Sequence, residues 1–145
     1  MLLKGTPRML PLLAVLWAGC NSSSMAPSAP LLTGTWVGTT NDALVGTANF
    51  SASITQSGST LSGTYTSSAV QSNSLNGKTG TLTGSVAGST VTTMFSPTAP
   101  VPNGVSCSFS ATVTVGGNQM TGTFTFPASA QCVPLSGTIN LTRST

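Results

Sequence analysis

The sequence predicts one all-β domain folded as an eight-stranded antiparallel up-and-down barrel, and three observations carry that expectation. A run of large apolar residue, hydroxyl, glycine, hydroxyl and large apolar residue occurs five times, at Leu32 to Trp36, Leu61 to Tyr65, Leu82 to Val86, Met120 to Phe124 and Leu135 to Ile139. Apolar residues or glycine alternate with Ser and Thr through and around these runs, a period of two that gives each segment a dry face and a wet face. Between the segments, short glycine-containing connections alternate with long ones, as in a chain of hairpins.

Taken in order, the alternation predicts strands over about 32–38, 47–55, 60–67, 79–87, 90–96, 105–115, 119–126 and 135–143. The connections 56–59, 88–89 and 116–118 are tight turns, whereas 39–46, 68–78, 97–104 and 127–134 read as long loops. Successive turns of a meander fall at opposite ends, so the barrel has a closed end of tight turns and a mouth of long loops. The dry face comprises Leu32, Trp36, Phe50, Ala52, Ile54, Leu61, Tyr65, Leu82, Val86, Val91, Phe95, Phe109, Ala111, Val113, Met120, Phe124, Leu135, Ile139 and Leu141. Glycines 34, 63, 84, 122 and 137 share it, at positions where a small barrel must bend or crowd its strands. Closure also removes sheet edges, which a surface with only 3% charged residues would otherwise leave unprotected.

Ahead of the domain, residues 1–19 read as an export signal. Lys4 and Arg8 supply the positive region, residues 9–18 an apolar run too short to cross a bilayer, and Ala18-Gly19 the small residues before Cys20. Ala18-Gly19-Cys20 resembles the lipobox of bacterial lipoproteins, with Trp17 where that family usually has Leu. The resemblance implies lipidation of Cys20, cleavage before it and a place in the bacterial cell envelope. Asn21 after the cysteine is compatible with transfer to the outer membrane, facing either the periplasm or the surface. The plain alternative is a secretory signal cut nearby. Residues 20–30 then form the lipidated cysteine and a Ser/Pro/Ala-rich tether, and 31–145 the barrel. With Cys20 taken by lipid, Cys107 and Cys132 remain as a pair for a disulfide in an oxidising compartment, or else as two separate buried thiols.

Gly34-x-Trp36 on the first strand and Arg143 at the end of the last make the domain resemble the calycin group, the lipocalins and avidin-like barrels. The resemblance implies that Arg143 packs across Trp36 at the closed end, and that the barrel binds a small apolar or amphipathic ligand. The inward residues Phe50, Tyr65, Phe95, Phe109 and Phe124 are the candidate lining, with the Tyr65 hydroxyl and Trp36 indole N–H as polar handles. Either the inward glycines leave room for such a guest or the same inward side chains simply fill the barrel, as both occur in eight-stranded barrels.

Chemistry is scarce. The chain has no histidine, and beyond the signal its only acid is Asp42 and its only bases are Lys78 and Arg143. Acid–base pairs, Ser-His-Asp triads and a catalytic metal site are thereby excluded and no cofactor is expected; a Ser-Lys dyad through Lys78 stays formally open, although a lysine after Asn76-Gly77 in a long loop reads as a solvated side chain. Without a basic stripe, nucleic acid is not an expected partner either. The expected partners are the membrane, through lipid on Cys20, and a small apolar ligand. A protein partner at loops 68–78 and 97–104 is the alternative, the second loop being stiffened by Pro97, Pro100 and Pro102. Small lysozyme-inhibitor lipoproteins are similar barrels, and Ser62-Gly63-Thr64-Tyr65 falls one residue short of their Ser-Gly-x-x-Tyr motif. A structural envelope protein with no ligand is the third reading.

Overall fold

The computed structural model describes residues 30–44, 46–68, 79–98, 107–129 and 132–145. Eight strands, β1 (Gly34–Asp42), β2 (Gly46–Ser57), β3 (Thr60–Ser67), β4 (Thr79–Ala87), β5 (Thr90–Pro97), β6 (Phe109–Gly116), β7 (Gln119–Phe126) and β8 (Leu135–Arg143), pair in sequence order. Pairing of β1 with β8 closes the barrel, in a register that sets Trp36 opposite Arg143 and Asp42 opposite Gly137.

The closed end is built from three turns of one kind. Ser57 pairs with Thr60, Ala87 with Thr90 and Gly116 with Gln119, leaving two residues in each turn. The first of the two is Gly58, Gly88 or Gly117, each with φ near +60°, which a residue carrying a Cβ adopts only at a cost. The second residue of each turn accepts a backbone hydrogen bond from a strand further round the barrel: Ser59 O from Val86, Ser89 O from Val115 and Asn118 O from Arg143.

Inward positions form a continuous apolar core, while the wet face is a hydroxyl surface. One row of exposed side chains runs Ser85, Thr92, Thr112, Thr123 and Thr138 across five paired strands. That polarity is the inverse of a lipid-facing barrel, which is apolar outside. No helix among the described residues is long and apolar enough to cross a membrane.

Several expectations need correction. The connection expected over 39–46 is not a long loop, because β1 runs on to Asp42 and β2 starts at Gly46. Residues 39–42 lack an apolar alternation, yet their backbones pair on both sides, with β2 and with β8, and that pairing prolongs the strand. The mouth therefore carries one short hairpin besides its longer loops. Strand β6 begins at Phe109 rather than 105, so Cys107 precedes it. Leu135 is only half-buried at the barrel rim, whereas Ala48, Thr93, Val115 and Phe126 join the buried set.

The inward glycines do not open space. A Cβ on Gly63, Gly84, Gly122 or Gly137 would collide with the carbonyl oxygen of Ser53, Thr92, Thr112 or Asn41 on the adjoining strand. Gly38 and Gly80, absent from the expected set, meet Asn140 O and Ser96 O in the same way. These glycines let strands approach closely enough to close a tight barrel. Gly34 differs: its φ is +137°, and a Cβ there would meet only the Arg143 side chain, at 3.7 Å.

Candidate functional site

The core divides along the barrel axis. At the closed end, Leu32 and Trp36 are fully buried under a set of polar fastenings. The Trp36 indole N–H donates to Leu32 O at 2.9 Å, and the Leu32 amide donates to the Gln56 side-chain oxygen at 2.7 Å. The Arg143 guanidinium lies 4.8 Å from the centre of the Trp36 ring, donates to Thr33 O at 3.0 Å and also donates to Leu31 O. Arg143 thus fastens the entering chain to the last strand, and its ring contact is a cation–π arrangement. Both residues are used up in this packing, which leaves neither for a ligand.

At the mouth end, Phe50, Tyr65, Phe95, Phe109 and Phe124 gather into one aromatic cluster, as the sequence grouped them. Phe126, which the sequence reading placed on no face, completes it. Phe109 stacks between Phe95 and Phe126 with centroids 4.6 Å away on either side. Tyr65 stacks on Phe50 at 5.5 Å and meets Phe95 and Phe109 edge-on at 5.2 and 5.7 Å. The rings contact one another, and Phe50 and Phe95 each also border a space beside the cluster. Between the cluster and the aliphatic closed end lies an enclosed space of only about 20 Å³, bordered by Ala52, Leu82, Thr93, Ala111, Met120 and Ile139 among others. That holds about one water and no larger guest. Among the described residues, the inward glycines admit neighbouring strands and do not open room for a guest.

One polar group in the cluster has no partner. The Tyr65 hydroxyl is buried, with the residue 2% exposed, and makes no hydrogen bond. Burial pushes its pKa up from 10.0 to about 12 by disfavouring the phenolate. An unpaired buried hydroxyl costs about 1–3 kcal/mol, so a phenylalanine would pack the position more favourably. Beside the cluster, an open hollow of about 490 Å³ runs along β1 to β3, lined by Val37, Asn49, Phe50, Ser51, Thr66 and Ser67 among others. Phe50 belongs to both: it borders the hollow and stacks on Tyr65.

The sulfurs of Cys107 and Cys132 lie at bonding distance, with Cα atoms 6.0 Å apart. They tie the approach to β6 to the approach to β8, next to the aromatic cluster that Cys107 helps to bury. No group of three or more His, Cys, Asp or Glu that could hold a metal occurs among the described residues. The expected signal segment 1–19, Cys20, the expected tether as far as residue 29, Lys78 and nearly all of the expected partner loops 68–78 and 97–104 lie outside the described residues.

No protein-family model matches the chain, and no curated protein matches it. The closed eight-stranded antiparallel barrel is compatible with a lipocalin-like fold.

Proposed function

We propose that this protein is a non-enzymatic lipoprotein of the bacterial envelope, anchored through Cys20, whose barrel binds a small apolar or amphipathic molecule at its mouth. The observation that carries the reading is the unpaired Tyr65 hydroxyl inside the mouth cluster. The packed interior confines a guest to the mouth side. Its apolar part rests in the hollow against Phe50, and its polar group reaches the Tyr65 hydroxyl once the Phe50 ring turns aside. The shortage of acids and bases supports a binding role over catalysis, since one carboxylate, Asp42, supplies no acid–base pair. Ala18-Gly19-Cys20 supports the anchor, and the surrounding signal supports the envelope address.

Titration with an environment-sensitive apolar fluorophore tests the reading. Saturable binding by the wild type, weakened about tenfold in Tyr65→Phe, fits a loss of about 1.4 kcal/mol from one hydrogen bond. Equal binding by both proteins removes Tyr65 from the site, and no binding by either removes the ligand. The filled lumen favours a second reading, a protein-binding module acting through the mouth loops.

A further inference from the structure

Among the described residues of the β7–β8 connection, Pro127, Ala128, Ser129, Val133 and Pro134 are exposed, and Cys132 alone is half-buried and packs against the core. The Cys132 amide donates to Ser129 Oγ at 3.0 Å and the Ser129 amide to Cys132 O at 3.2 Å, bonds that hold the turn together within itself. Its tie to the core is the disulfide from Cys132 to Cys107, which is 3% exposed. Cys107 stands two residues before Phe109, the ring at the centre of the mouth cluster. Phe109 stacks on Phe95 and Phe126 at 4.6 Å and meets Tyr65 and Phe124 edge-on at 5.7 and 6.1 Å, while Phe95 meets Phe50 at 5.5 Å. Rings packed this closely do not move one at a time, so what holds Phe109 also holds Phe50 and Tyr65.

The disulfide lies outside the strand ladder. Both cysteines precede the strands they adjoin, and β6 and β8 are each paired on both sides by backbone bonds in which neither cysteine takes part. Breaking the bond therefore loosens the mouth and leaves the barrel zipped. The two sulfurs also differ in access, since Cys107 is buried and Cys132 half-buried, which directs an attacking thiolate to Cys132.

We propose that the Cys107–Cys132 bond is a redox-sensitive fastening of the mouth: closed, it keeps the aromatic cluster packed, and its reduction by a dithiol lets the rings part so that a guest reaches Tyr65. One thiolate of the dithiol bonds to Cys132 Sγ as the Cys107–Cys132 bond breaks, and Cys107 leaves as a thiolate that takes up a proton. The second thiolate of the reductant then attacks its own sulfur in that mixed disulfide, and Cys132 leaves and is protonated in turn. The dithiol ends as a disulfide, and its two electrons and two protons reside on the two cysteine thiols. Access of a guest rests on the ligand reading above; control of the ring packing does not.

The test titrates the full-length protein with dithiothreitol, traps thiols with iodoacetamide and follows circular dichroism in parallel. The expected result is alkylation of Cys107 and Cys132 with the far-ultraviolet signal unchanged and the near-ultraviolet signal of Tyr and Phe diminished. The apolar fluorophore should then associate about tenfold faster, because binding no longer waits on the packed rings. Cys132→Ser, at the half-buried position, should behave as the reduced protein without reductant and should not respond to dithiothreitol, which separates the effect from any action at Cys20. Should that variant fail to fold, reduction of the wild type decides alone. A bond that yields only as the far-ultraviolet signal is lost, a near-ultraviolet signal untouched by reduction, or equal association rates for the two forms overturns the proposal. Fluorophore bound by neither form removes the ligand reading, and the near-ultraviolet signal still decides the fastening.

Discussion

Replacing Tyr65 by Phe should stabilise the ligand-free barrel. The substitution removes one oxygen, keeps the ring stacked on Phe50 and edge-on to Phe95 and Phe109, and deletes the one buried side-chain polar atom found without a partner among the described residues. Leaving such an atom unpaired costs about 1–3 kcal/mol, and recovering it raises the melting temperature by roughly 4 °C per kcal/mol for a domain of this size. Differential scanning calorimetry of a ligand-stripped sample therefore shows a rise of about 4 to 12 °C. The pH dependence adds an independent reading. The folded-state pKa, about 12, lies above the unfolded value of 10.0. Between those limits the folded state holds the proton more tightly, so the stability due to neutral Tyr65 is complete below pH 10 and falls as pH rises toward 12. Tyr65→Phe abolishes that decline. A variant that melts lower than wild type, with the same alkaline decline, would show that the hydroxyl is bonded in the ligand-free protein and refute the reasoning.

Other perturbations probe the frame. Trp36→Ala removes a fully buried indole together with its bond to Leu32 O and its contact with Arg143, and should cost about 3–5 kcal/mol in urea unfolding. Gly122→Ala drives a methyl into Thr112 O and should destabilise by about 1–3 kcal/mol, whereas Gly116→Ala, with nothing within 4 Å, should stay within about 0.5 kcal/mol. If both behave alike, close strand approach is not what the inward glycines serve. Reducing the Cys107–Cys132 bond opens a loop spanning 25 residues and should lower unfolding free energy by about 3 kcal/mol, read from denaturant midpoints with and without reductant.

Much of the barrel was legible because its alternation is nearly uninterrupted. Strands β3, β4, β7 and β8 begin and end where the pattern of two and the glycine turns place them, at Thr60–Ser67, Thr79–Ala87, Gln119–Phe126 and Leu135–Arg143. The pattern failed where backbone pairing alone holds a strand. Residues 39–42 carry Thr, Thr, Asn and Asp, with no apolar face to read, and only their two-sided register makes them β1. The candidate site was half legible. Period two predicted that Phe50, Tyr65, Phe95, Phe109 and Phe124 point inward, and they meet at the mouth. Their packing was not legible, because an inward glycine can mean either vacant space or a crowded backbone. Collision with Thr112 O at Gly122 decides for crowding, and such a distance exists only in three dimensions. Phe126 escaped notice for a related reason. It ends β7 beside Pro127, where alternation gives way to loop, although its spacing of two from Phe124 was the available signal.

The central claim, that the mouth of this barrel holds a small molecule, is tested most directly by native mass spectrometry of the protein gently extracted from the cells that produce it. A discrete adduct that is lost on denaturation and absent from Tyr65→Phe is the result predicted. A bare protein mass for the wild type, under conditions in which a control carrier keeps its ligand, would contradict it.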